Sequence, residues 1–155
     1  MPSERPPVCA LLRRPAVLVR REVMASLHDA GFDTLLPAHL GVFQYPGPDG
    51  QRPGVLASRA QMSKQAMNHL LKQLETAGYI TRHPHPGDQR RRVVRLTERG
   101  WAAWNVIWQA AAGLEREWNE ALGDKAYSGL AHALVQLNDI IETKVREDDH
   151  GPRPA

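Results

Sequence analysis

Residues 56–80 read LASRAQMSKQAMNHLLKQLETAGYI, and the fold follows from how this stretch divides. Val55, Leu56, Ala60 and Met62 give a short helix its apolar positions, and Pro53 suits the first helical position, where a missing N–H is harmless. Ser63 then offers its hydroxyl to the free amides of a second helix. On a wheel of roughly 100° per residue, Ala66, Met67, Leu70, Leu71, Leu74 and Ala77 share one face. Gln65, Asn68, His69 and Lys72 lie opposite, on a face that is polar, long-armed and free of carboxylates. Gly78 is placed to end the helix as a C′ residue.

Working outward, strand-like runs at 79–83 and 91–96 flank residues 84–90, and the alternation around Val94 and Leu96 predicts a half-exposed hairpin. Upstream, Pro15 marks where a helix can begin; Val17, Leu18, Val23, Met24 and Leu27 carry it to Gly31. A short helix is expected over 35–43, and the two Pro and two Gly of residues 45–50 predict a loop. Downstream, Thr97 caps a helix whose apolar stripe is Trp101, Trp104, Trp108, Ala111, Leu114, Trp118 and Leu122. Gly123 and Asp124 break and recap the chain. A last amphipathic helix is expected over 125–146, with Leu130, Leu134, Leu137 and Ile141 inward. The expected fold class is mainly α with a small β-hairpin wing (α+β): a winged helix-turn-helix domain plus N- and C-terminal helices. The expected organisation is a disordered arm at 1–12, a helical region at 13–31 and 101–147, a winged helix-turn-helix domain at 35–100, and a disordered tail at 148–155.

Composition narrows the function. The 155 residues suit one globular domain, and a single cysteine excludes an internal disulfide framework. The net charge of +3 is modest, but it is unevenly spread. Residues 52–99 hold ten basic and three acidic side chains, residues 100–155 five and nine. Arg82, Arg90, Arg91, Arg92, Arg95 and Arg99 place six guanidinium groups within 18 residues, opposed only by Asp88 and Glu98. A solvated basic face would explain the charge alone. A basic hairpin next to an acid-free helix face explains more, because long donors and acceptors read base edges in the major groove while arginines favour phosphates and the narrow minor groove. No export signal and no apolar run of about 20 residues is present, so a cytoplasmic location without membrane contact is expected. Paired carboxylates, a Ser–His–Asp set and a glycine-rich phosphate loop are lacking, so no enzyme activity and no cofactor are expected. His83 and His85 form at most half of a metal site, and Cys9 stands in a Pro-rich segment with no motif holding a cation beside it, so neither a metal nor a redox role is expected.

Residues 56–80, followed by Asp88-Gln-Arg90 and Leu96-Thr-Glu-Arg-Gly100, resemble the MarR family of bacterial transcription regulators over about 45 residues. The resemblance implies a homodimer in which the N-terminal and last two helices, residues 13–31 and 101–147, form the dimerisation region and interlock, with two DNA-binding winged domains, residues 35–100, straddling a pseudo-palindromic duplex. It implies a recognition helix bearing Ser63, Lys64, Gln65, Asn68, His69 and Lys72, with Gln65, Asn68 and His69 at base edges and the others nearer phosphates. Asp88 and Arg90 match the wing motif, in which the Arg enters the minor groove and the Asp orients neighbouring basic side chains; Arg91 and Arg92 are additional. It further implies release by a small aromatic or anionic ligand, for which Phe32, His39, Phe43, Trp104 and Trp108 are candidate pocket residues, although aromatics at helical spacing more often form core or dimer interface. Repression is the expected mode. The competing reading is a ligand-independent winged-helix architectural or protein-interaction module.

Overall fold

A computed structural model describes residues 6–44, 47 and 49–149. Its helices are α1 (Val8–Asp29), α2 (Leu40–Phe43), α3 (Pro53–Arg59), α4 (Lys64–Thr76), α5 (Glu98–Leu122) and α6 (Asp124–Asp149), with strands β1 (Ile80–His85) and β2 (Asp88–Leu96) between α4 and α5. The expected mainly-α fold with a hairpin wing is the observed one.

The helix-turn-helix forms as its residues dictate. Pro53 opens α3, and the Ser63 hydroxyl accepts from the Ala66 amide at 3.1 Å to cap α4. Both helices end in the same paired arrangement of backbone bonds. After α4, Gly78 takes φ +80° while the Tyr79 amide reaches the Leu74 carbonyl and the Gly78 amide that of Glu75. After α3 the left-handed position falls on Gln61, at φ 52°, with Met62 donating to Ala57 and Gln61 to Ser58. Met67, Leu71 and Leu74 point from α4 into a core shared with Leu56 and Ala57 of α3, Val42 and Phe43 of α2, Leu27 and Val23 of α1, Ile80 of β1 and Tyr79 just before it. Leu70 and Ala77 are partly buried, but Ala66, expected on the inner face, is exposed; it sits in the first turn of α4, beyond the edge of the packed surface.

Four other expectations are corrected. Helix α1 starts at Val8 from an extended Pro7, and Pro15 lies inside it. A proline removes one helical hydrogen bond, and a helix with a full turn on each side survives that loss. The segment expected over 35–43 as one helix is a 3-10 turn, Pro37–His39, leading into the single turn of α2. The hairpin is longer and its connection tighter than expected, with Pro84 inside β1. Pro84 is tolerated because β1 is an outer strand of the sheet. Val93 is buried as well as Val94, because Gln51 bridges Val94 through two backbone bonds of 2.9 and 2.8 Å and covers the second edge of β2. Gly50 permits that approach: at φ +85°, a Cβ there would meet the Val94 carbonyl and the Val93 side chain. Gly100 does the same at the start of α5, where any Cβ would collide with the Tyr79 carbonyl.

The fourth correction concerns the last helix. It extends from Asp124 to Asp149, and within this one chain Leu130, Leu137 and Ile141 are exposed, with only Leu134 half-buried. Helix α5 packs against α1 on one side and α6 on the other, and α6 has little else beneath its apolar face.

Candidate nucleic-acid interface

Helix α4 presents Gln65, Asn68, His69 and Lys72 to solvent, together with Lys64 from its first turn. Its N-terminal turn holds no acid, so the positive end of the helix dipole and the lysines add in sign. Ser63 accepts the Ala66 amide at its hydroxyl oxygen, which leaves its O–H as a donor. This is a helix that buries three large apolar side chains and leaves donors and acceptors along the outside, which is what insertion into a major groove requires.

The six arginines of residues 82–99 divide into two sets. Arg99 donates to the Ala77 carbonyl at 3.1 Å and the Tyr79 hydroxyl at 3.3 Å, with its guanidinium 4.6 Å from the Tyr79 ring centre. Arg95 donates to the Asp49 carbonyl at 3.1 Å. Arg82 Nε lies 3.2 Å from Glu75 Oε2, an ion pair in distance whose N–H points off the carboxylate. Arg82 and Arg95 tie the hairpin to α4 and to Asp49, while Arg99, in α5, ties that helix to the end of α4 and to Tyr79. At the tip, Asp88 accepts from the Arg90 amide at 3.0 Å through Oδ1 and lies 3.2 Å from Arg91 Nε through Oδ2. A single acid thus shapes the turn and holds one arginine. Arg90 and Arg92 are exposed and make no side-chain hydrogen bond or ion pair among the described residues.

His83 and His85 serve the hairpin itself: His83 Nε2 lies 2.8 Å from the Thr81 hydroxyl, and His85 Nδ1 accepts from the Gly87 amide at 3.0 Å. No group of three or more metal-ligating side chains occurs among the described residues.

The five aromatic and histidine residues considered for a ligand pocket fall into two places. Phe32 and Phe43 flank Tyr79, each with ring centres 6.2 Å away, and His39 is buried at 3% exposure nearby, bound to α4 through Gln73. Trp104 packs against the core from α5 and stacks on Trp108 at 5.4 Å, while Trp108 itself is 63% exposed. Cys9, expected in a frayed arm, lies exposed in the first turn of α1 and lines an open groove with Arg13, Arg14 and Trp118. Sequence reasoning missed Gln73, which touches both His39 and His69; its one signal was its place four residues after His69. It also missed Gln51, whose pairing with β2 joins residues far apart in the chain.

Comparison with known proteins places this arrangement. A family model described as MarR family matches residues 45–91. BadR of Rhodopseudomonas palustris, a transcriptional activatory protein, is 30% identical over 120 residues, covering 77% of this chain and 67% of BadR. Two solved regulators share the fold at lower identity. NadR, in complex with 4-hydroxyphenylacetate, is 20% identical with a TM-score of 0.73, covering 90% of this chain and 98% of that one. CouR on a 23-mer DNA duplex is 22% identical with a TM-score of 0.64, over 82% and 89%. CouR from Rhodococcus jostii RHA1 bound to p-coumaroyl-CoA is 19% identical with a TM-score of 0.69, over 84% and 91%. The chain belongs to the MarR family of winged helix-turn-helix transcription regulators.

Proposed function

We propose that this regulator binds a pseudo-palindromic operator as a homodimer, with the outer face of α4 in the major groove and the wing tip at phosphates and the minor groove. The observation that carries the reading is the pairing of an acid-free exposed face, Gln65, Asn68, His69 and Lys72, with two unengaged wing arginines, Arg90 and Arg92. Gln65, Asn68 and His69 read base edges; Ser63, Lys64 and Lys72 contact phosphates; Asp88 positions Arg91 while Arg90 and Arg92 reach the duplex. Dimerisation uses residues 13–31 and 101–147, and sets the two recognition helices about one DNA turn apart, roughly 34 Å. The protein works where the chromosome is, in the cytoplasm.

Both senses of regulation occur among the relatives, since CouR is a transcriptional repressor and BadR a transcriptional activatory protein. Repression is the reading favoured for this chain, because covering a promoter needs no surface beyond those that bind DNA. Release by a small aromatic or anionic compound is supported by the ligands of NadR and CouR, 4-hydroxyphenylacetate and p-coumaroyl-CoA. In this chain Phe32, His39, Phe43, Trp104 and Trp108 are the residues proposed to surround it. A thermal-shift screen with phenolic acids tests the pocket, and no stabilisation over the free protein by any of them favours the ligand-independent module instead.

The DNA reading is tested by operator selection and two variants. Arg90→Ala is expected to weaken binding at every sequence and to reduce the salt dependence by about 0.9 log unit per lost phosphate contact. Asn68→Ala is expected to relax choice at one base pair by roughly 1–3 kcal/mol. Full discrimination by the Asn68 variant on a randomised operator library would sink the assignment of the α4 face.

A further inference from the structure

On the outer face of α4, His69 is distinguished by a side-chain chain of hydrogen bonds that begins in the core. His39 stands at the third position of the Pro37–His39 turn, where its Nδ1 accepts the Leu36 amide at 3.0 Å, half of a capping box. A backbone amide can only donate, so Nδ1 carries no proton and the neutral His39 ring holds its hydrogen on Nε2. That Nε2 lies 2.9 Å from Gln73 Oε1, an acceptor only. The amide nitrogen of Gln73 is then turned away from His39 and sits 3.2 Å from His69 Nε2. An amide nitrogen only donates, so His69 Nε2 must accept, and the proton of the neutral His69 ring is on Nδ1. The opposite orientation of the Gln73 amide would set two donors against each other at a ring that is 3% exposed, leaving a buried N–H unpaired.

We infer that this relay, Leu36 to His39 to Gln73 to His69, fixes the tautomer of His69 so that α4 offers the duplex an Nδ1–H donor at that position. The inference rests on the reading of α4 as the recognition helix. An unconstrained imidazole could present either a donor or an acceptor, and so tolerate either kind of base edge. A ring held as a donor selects N7 or O6 of guanine, N7 of adenine or O4 of thymine, and rejects the amino groups of adenine and cytosine. Gln73 is in this account a positioning residue: exposed itself, it connects a core histidine to the DNA-facing one.

The test uses the full chain in two measurements. Long-range proton–nitrogen spectra of histidine-labelled protein without DNA are expected to show His69 protonated on Nδ1, and to lose that signature in Gln73→Met. Because Gln73 is exposed, the substitution removes the relay without opening the core. Selection on a randomised operator library is expected to show Gln73→Met losing discrimination about fivefold, the worth of one hydrogen bond, at the base pair where His69→Ala loses it. Binding of Gln73→Met to nonspecific DNA is expected to stay unchanged. A His69 proton on Nε2, or the same tautomer in wild type and Gln73→Met, overturns the relay. A fixed tautomer with undiminished discrimination in Gln73→Met overturns its part in base reading. If His69→Ala keeps discrimination at every position, the assignment of His69 to the bases fails and the inference with it, while the DNA-free spectra still report on the relay separately.

Discussion

The winged region, residues 35–100, and the helical region formed by α1, α5 and α6 treat their apolar side chains in opposite ways. In the winged region Leu56, Met67, Leu71, Leu74, Tyr79 and Ile80 are each no more than 1% exposed. Among the described residues, Leu36 is the one large apolar side chain left open there. The helical region leaves Val8, Leu11, Val17, Trp101, Trp108, Leu122, Leu130, Val135, Leu137, Ile140 and Ile141 exposed in the single chain. A region that satisfies its own core can spend its surface on polar recognition. A region with contiguous uncovered apolar side chains has surface suited to a second chain. The charges follow the same division, with the basic excess in residues 52–99 and the acidic excess in residues 100–155.

The contrast can be broken in order of expected effect. Replacing Leu137 and Ile141 by Glu is expected to shift the dimer–monomer equilibrium of the proposed homodimer by at least about a hundredfold, since in such a dimer each change acts twice across a two-fold interface. Sedimentation over a dilution series reads this, and an unaltered dimer would remove α6 from the interface. Leu71→Ala is expected to cost roughly 2–5 kcal/mol of folding stability in urea, from lost burial and the cavity left behind. A cost below about 1 kcal/mol would mean that the winged core is looser than its burial implies. The smallest effect sharpens the comparison within the winged region. Gln61→Gly, at the left-handed residue ending α3, is expected to stabilise by up to about 1 kcal/mol, because glycine holds that conformation without a Cβ clash. Destabilisation would show that the Gln61 side chain contributes more than its backbone strain removes.

Where the determinants were local, the sequence was legible. Pro53, Ser63, Gly78 and Thr97 mark element ends by capping chemistry that acts within four residues, and all four operate as their types predict. The donor face of α4 was equally readable, because a wheel needs only periodicity. Less legible were features set by residues far apart in the chain. The cover on the second edge of β2 depends on Gln51 meeting Val94, and Gly50 marks it only once the approach of the two segments is known. The arginines of residues 82–99 read as a uniform basic run, yet Arg95 and Arg99 are committed to carbonyls of Asp49 and Ala77 and leave Arg90 and Arg92 open. Pro15 misled because a proline signal is statistical, whereas the helix around it is long enough to bear one missing bond.

By itself, the sequence determined the order of elements, the boundaries of the helix-turn-helix and the chemical character of its outer face. These rest on backbone propensity, capping and side-chain periodicity, which are properties of short segments. Only the tertiary structure decided which polar groups are already spoken for. His39, Gln73 and His69 are separated by 34 and four residues along the chain, and their hydrogen bonds exist because the turn before α2 packs against α4. Hydrogen-bond polarity passes through contacts in space, so a backbone amide at Leu36 is linked through the core to a histidine on the exposed face of α4.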